Sequence, residues 1–354
     1  MKNKLVAVLI ACYSVLYVLA SSQLNAQTLD LKNPYPKKVV KKISLPGDEK
    51  WDYLSIDETN RRLYIAHASQ VQVLDLKKDS LVGTIPNLQG VHGVCFAPLL
   101  NLGFTSNGKS SSVTVFDLKT LKVIKEIDLK PKGEGPDAIL YDEFSKQVFA
   151  FCGKSNNVLV IDPVKQAIKK DIPLEGNPEF AVSDKKGGIY VNIESKNMVV
   201  KFGSVEFQTL AKFALDPAEE PTGIDIDTEY DRLFVVCRGS KPSLQIINIT
   251  PKHMNFGQAI CSLPIGKGTD AVVVDNTNPA REIFCSNGDG TMTIVKQNDA
   301  DDLEHFAVIQ NLATPTGSKT MAFDKTTGKI YLGAAEFEGK KVKPNSFKVL
   351  VVTQ

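Results

Sequence analysis

The chain is poor in the residues from which many reactive sites are made. It holds four histidines and one tryptophan in 354 residues. No two cysteines stand at CxxC spacing, which argues against a zinc site and against a CxxCH haem attachment. No GxSxG element announces a serine nucleophile. An excess of one charge is also missing, since 42 basic residues face 40 acidic ones. That balance excludes the electrostatic footprint of a nucleic-acid binder and any polybasic membrane patch. Beyond the first 26 residues no long apolar run occurs.

Those first residues, MKNKLVAVLIACYSVLYVLASSQLNA, combine Lys2 and Lys4 with an apolar run from Leu5 to Ala20 and a polar end at Ala26. This is the pattern of a secretory signal peptide over 1–26. The run is shorter than the roughly 20 residues a spanning helix needs, so no transmembrane anchor is expected in the mature chain. A periplasmic or secreted location follows. Residues 27–37, QTLDLKNPYPK, carry two prolines and no repeated element, and are expected to be a flexible lead-in. Of six cysteines, Cys12 lies in the signal segment. Cys95, Cys152, Cys237 and Cys285 sit in apolar runs, as small buried hydrophobes do, and no disulfide is expected.

What the chain does contain is a repeat. The runs LSID, VCFA, ILYD, AVSD, IDID, VVVD and MAFD end at Asp57, Ala97, Asp142, Asp184, Asp227, Asp275 and Asp324, 40 to 49 residues apart. Each is followed by a polar turn and three further apolar stretches with a period of two, rich in β-branched and aromatic residues. Four strands recurring at this interval predict an all-β fold, a seven-bladed β-propeller spanning 38–354. The seventh copy shows only three strands, while KVVKKISLP (Lys38 to Pro46) stands unmatched before the first. Pairing these two would close the ring and leave the last blade no open edge. The stretch SNGDG (Ser286 to Gly290) resembles a calcium loop, but its counterpart in the second repeat has Lys109 where it has Asp289. It is therefore read as a hairpin turn.

Five positions before each repeat end stand Asp52, His92, Asp137, Glu179, Thr222, Asp270 and Lys319. They begin the innermost strands, so they should ring the mouth of the central channel. A second layer on that face is expected from the hairpins after the second strands: His67, Asn107, Lys154, Asn192, Glu194, Arg238, Asn287 and Glu336. Trp51 beside Asp52 is either a ligand-facing aromatic or packing between blades seven and one. His92 is the candidate general base, since it titrates near neutrality and its ring neighbours are Asp52 and Asp137. No cofactor is required, although a divalent cation at the mouth is an alternative to a simply hydrated ring.

The stretches RRLYIAHASQVQVLDLKKDSLVGTIP and NNVLVIDPVKQAIKKDIPLEGNPEFAVSD resemble the YVTN repeat of the YncE-like exported propellers of bacteria. The likeness extends over nearly all of the mature chain. It departs at MVVKFG in the fourth repeat and at the long NITPKHMNFGQA connection in the fifth. The resemblance implies an exported propeller and supplies no agreed reaction. Two functions remain open. One is a monomeric ligand-binding or protein-interaction module whose polar face takes a polar small molecule, a peptide or an envelope protein. The other is a lactonase- or lyase-type enzyme using His92 and the mouth carboxylates, with or without a metal. A haem or quinone partner lacks ligands to support it.

Overall fold

The computed structural model describes residues 35–277, 281–299 and 302–354, with the side chains of 298–304 left aside. The expected signal peptide and most of the lead-in lie outside these residues. The described chain forms seven four-stranded antiparallel sheets. Blade one runs from Leu54–Asp57 to Ser80–Ile85, and blade two from Val91–Ala97 to Val123–Asp128. Blade three runs from Pro136–Asp142 to Ala167–Pro173, and blade four from Pro178–Ser183 to Thr209–Ala214. Blade five runs from Pro221–Asp227 to Ala259–Pro264, and blade six from Thr269–Val274 to Asp302–Ala313. In blade seven Lys319–Asp324, Lys329–Ala334 and Lys348–Thr353 are completed by Lys38–Ser44, which pairs antiparallel with Lys348–Thr353. The seven-bladed, ring-closed propeller expected from the repeat is the observed fold. Among the described residues no helix is long and apolar enough to cross a membrane.

The repeat ends are acidic for a local reason. Asp57 Oδ1 accepts the backbone N–H groups of Thr59 and Asn60, and Asp142, Asp227, Asp275 and Asp324 do the same for residues two or three places on. Such a turn reverses the chain into the second strand while giving its backbone donors an acceptor. Three of these carboxylates also tie blades together: Arg61 holds Asp324, Arg281 holds Asp227, and the Ser183 hydroxyl donates to Asp142. Ala97 lacks the carboxylate, and a short 3₁₀ turn, Pro98–Leu100, replaces the device there.

Seven clusters of buried side chains occupy the seven junctions between neighbouring blades. The four strand cysteines are buried in these layers, and all five described cysteines are free thiols. The SNGDG stretch is a turn, as read: Gly290 takes φ +97°, and the Asp289 carboxylate accepts from the Lys267 and Thr291 backbone N–H groups.

Lys37, the last residue of the expected lead-in, is fixed rather than free. Its ammonium lies 2.7 Å from Glu282 with both side chains 7% exposed, and its backbone exchanges two hydrogen bonds with the Gln310 side chain. Breaking a buried ion pair on one side leaves an uncompensated charge. Lys37→Ala should therefore cost about 3 to 5 kcal/mol in urea denaturation, and Lys37→Met with Glu282→Met should recover most of it. A loss below about 1 kcal/mol would show that the fold begins after this residue.

Candidate functional site

The mouth of the channel is built by a repeated backbone device. Two residues before the ring position the chain takes a left-handed conformation, at Gly90 (φ +67°), Gly135 (φ +60°), Glu220 (φ +54°), Gly268 (φ +64°) and Gly317 (φ +82°). Just beyond, the pairing of first and second strands slips, between Val91 and Val94, Pro136 and Ile139, Pro178 and Ala181, Pro221 and Ile224, Thr269 and Ala271, and Lys319 and Met321. A bulge of this kind re-aims the side chain at the slip. In blades two, three, five and six the hairpin after the second strand is locked to the same turn by a pair of backbone bonds: Gly108 N–H to Gly90 O with Lys109 to Gln89, Gly153 to Gly135 with Lys154 to Glu134, Arg238 to Glu220 with Gly239 to Glu219, and Gly288 to Gly268 with Asp289 to Lys267.

Six of the seven ring residues meet at this mouth. His92 Nδ1 lies 2.6 Å from Asp52 Oδ2 and 3.6 Å from Asp137 Oδ1. Lys319 Nζ stands 3.5 Å from Asp270 Oδ2, and Arg238 stands 3.7 Å from Asp270 Oδ1 while also bonding Glu194. The ring is thus divided. Asp270 and Glu194 carry resident cations, whereas Asp52 and Asp137 have His92 as their contact.

Burial and crowding set the protonation of these groups. Burial, then the Asp137 and Glu194 charges, push the Glu179 carboxyl up to about 9, against a partial offset from Arg238. Burial and the Asp52 charge raise Asp137 to about 6. Burial also opposes the charge on His92, but the hydrogen bond to Asp52 and the Asp137 and Asp52 charges outweigh it and lift its pKa above 6.5. Glu194 moves the other way: burial would raise it, yet hydrogen bonds from Arg238, Asn177 and Glu179 hold it below its usual value. Glu179 is thereby a carboxylic acid at neutral pH, donating to the Glu194 carboxylate.

Beneath the ring the channel is blocked. Tyr53 of blade one and Phe180 of blade four meet across it with ring centroids 4.2 Å apart and ring planes tilted by 39°. Tyr53 packs on the junction of blades three and four, and Phe180 on those of blades four and five and of six and seven. The Tyr53 phenol, under four carboxylates, is kept protonated by burial and then by the charges of Asp137, Glu179, Asp52 and Asp270. Above this plug a cleft of about 270 Å³ is lined by His92, Asp137 and Glu179, with Gly108, Gly135 and Gly153 opposite and Lys109 and Lys154 at its rim. The glycines leave this space open, since a Cβ on Gly108 would stand 2.6 Å from His92 Nε2. A larger groove of about 600 Å³ lies between the outer strands of blades four and five, lined by Phe213 and Phe256 and remote from the ring.

Several expected site residues are elsewhere. His67, Asn107, Asn192 and Asn287 are fully or almost fully buried and spend their hydrogen bonds inside the fold, for example Asn192 to the Thr222 and Gly223 carbonyls and Asn107 to Ser112 and Thr114. Thr222 is likewise buried and donates to main-chain oxygens. Glu336 pairs with Lys343 and Lys348 beside a small extra hairpin, Phe337–Glu338 with Lys341–Val342. Trp51 is 3% exposed, packs 5.0 Å from Phe347 and donates to the Lys319 carbonyl, so it fills the junction of blades seven and one. Lys109, Tyr53 and Phe180 went unforeseen as parts of the site. Tyr53 and Phe180 each directly follow a ring position, where the other blades carry Gly93, Ala138, Gly223, Ala271 and Thr320, and that contrast in size is the signal for them.

No family model and no curated protein matches the sequence. Many solved structures share the architecture. A chain of the Kuenenia stuttgartiensis hydrazine synthase aligns over 86% of this chain and 97% of its own, with TM-score 0.71 and 14% identity. A streptogramin B lyase aligns over 90% and 97%, with TM-score 0.69 and 12% identity. At these identities the likeness is one of fold: both are similar as seven-bladed propellers.

The geometry sets two expectations. Trp51→Ala should lower stability by about 3 to 5 kcal/mol, as truncation of a buried aromatic does, which a denaturation curve will read directly. Between pH 5 and 9 the folded protein holds a proton on Glu179 that the unfolded chain has released. Stability should therefore fall as pH rises through that window, by at most about 1.4 kcal/mol per pH unit. Glu179→Gln should flatten the slope, and an unchanged slope would place the proton elsewhere.

Proposed function

We propose that this is an exported propeller of the YVTN-repeat, YncE-like kind, led out by residues 1–26, whose channel mouth captures a small polar ligand. The observation that carries this reading is the cleft that His92, Asp137 and Glu179 share with Lys109, Lys154 and the glycines Gly108, Gly135 and Gly153. Buried groups of differing protonation offer a donor, acceptors and charge within one small volume, as sites for polar ligands do. Balanced charge argues for a small ligand rather than nucleic acid, and a monomer in the periplasm or outside the cell accounts for the signal segment. A thermal-shift screen of small hydroxylated acids, sugars and amino acids provides the test. Gly108→Ala should weaken any hit by about tenfold or more, because its methyl would enter the cleft against His92. Equal affinity in the variant would move the site off this cleft.

A second reading, a lactonase- or lyase-type enzyme, is favoured by one specific arrangement. Asp52 holds His92 Nδ1, leaving Nε2 towards the cleft, where Glu179 keeps its proton to about 9. A base and an acid with separated pKa values in one cleft are what an elimination needs. His92 Nε2 would take a proton from carbon while Glu179 protonates the oxygen leaving the neighbouring carbon. The streptogramin B lyase, by its name, is a lyase on the same fold. For such an enzyme kcat/KM should rise as His92 loses its proton above pH 6.5 and fall near pH 9 as Glu179 loses its own, with the alkaline limb absent in Glu179→Gln.

A further inference from the structure

We infer that Asp52, His92 and Asp137 form a divalent-metal site of one imidazole and two carboxylates at the channel mouth. Three observations carry it. One donor atom from each of these residues lies within 4.8 Å of the other two. Asp137 Oδ1 is sealed from solvent and receives no hydrogen bond, although it points at this cluster, 3.6 Å from His92 Nδ1. The third is the uneven placing of cations around the ring: Arg238 and Lys319 both contact Asp270, and although the Lys319 charge also reaches Asp52 and Asp137, the cation-forming group in contact with those two among the described residues is His92.

The geometry is close to what a metal requires. Imidazole nitrogens and carboxylate oxygens bind Zn²⁺ at about 2.0 to 2.2 Å, so two neighbouring donors end up about 3.0 to 3.5 Å apart. The His92 Nδ1 to Asp137 Oδ1 separation of 3.6 Å already fits. The 2.6 Å between His92 Nδ1 and Asp52 Oδ2 is a hydrogen bond and must open by about 0.4 to 0.9 Å. The metal takes the place of the shared proton, which leaves to solvent. The three donors stand at the starts of the innermost strands of blades one, two and three, rigid supports that fix their spacing. Three protein donors leave further coordination positions open, as in metal sites that also hold a water or a ligand. One nitrogen with two oxygens suits Zn²⁺ or Mn²⁺ better than the all-oxygen preference of Ca²⁺. This site would deepen the ligand-binding reading by giving an anionic ligand a cation to bind, yet it is measured without any ligand, so either can fail alone.

The test uses the mature protein stripped with chelator, titrated with Zn²⁺ and Mn²⁺ by calorimetry and with Co²⁺ by visible absorption. One equivalent per chain is expected. His92→Gln and Asp137→Asn should each weaken it by about tenfold or more, and His92→Gln should also remove the imidazole contribution to the Co²⁺ spectrum. His253→Gln, which alters an exposed histidine in the long connection of blade five, should leave it unchanged. Asp52→Asn serves in place of either mouth variant that loses the native melting transition. Absence of one-equivalent uptake, uptake that survives the mouth variants, or uptake lost with His253→Gln would overturn the assignment.

Discussion

Everything at the channel mouth depends on the antiparallel pairing of Lys38–Ser44 with Lys348–Thr353. A row of seven sheets has two ends, and each end would expose unpaired backbone and an apolar face. Joining the first strand of the described chain to the last blade removes both ends at once. It also fixes the circumference, because seven junctions must then share one full turn. The distances between side chains from blades one, two and three are consequences of that closure, as is the meeting of Tyr53 with Phe180 across the axis. Lys37 and its buried partner Glu282 extend the clasp into blade six, so the join is held on both sides of the seam.

Within the closed ring the mouth is a place where polar groups are brought together faster than they are neutralised. Each blade contributes one ring position, bulged in six of the seven, and the sequence places acids at four of them. Two responses are visible. On one side Arg238 and Lys319 supply positive charge to Asp270 and Glu194. On the other, proton uptake does the same work, since Glu179 and Asp137 hold protons more tightly than isolated carboxyls. A group that keeps a proton only because nothing else cancels its charge is responsive to whatever cation or donor arrives.

The architecture was legible because a propeller writes its period into the chain. The aspartates that end six of the seven repeats recur for a turn-forming reason, and counting back five places from them and from Ala97 reached Asp52, His92, Asp137, Glu179, Asp270 and Lys319 at the mouth. The second layer read less well. Residues such as His67, Asn107, Asn192 and Asn287 close the second strands, where period-two alternation says that a side chain faces one side of its sheet but not whether a neighbouring blade covers that side. Trp51 was ambiguous for the same reason, and its packing on Phe347 depends on a contact between residues nearly three hundred places apart. The meeting of Tyr53 with Phe180 belongs to the ring as a whole, so no single repeat could reveal it.

That aromatic pair changes what kind of object the channel is. A propeller with an open axis is a tube, and material could pass through or a segment could thread it. With Tyr53 and Phe180 crossed over the axis the cavity becomes a cup, filled and emptied through one opening. An occupant must leave by the route it came, and anything longer than the cup is deep has to stand out into solvent. The face behind the plug is therefore free to rest against another surface without obstructing the traffic at the mouth.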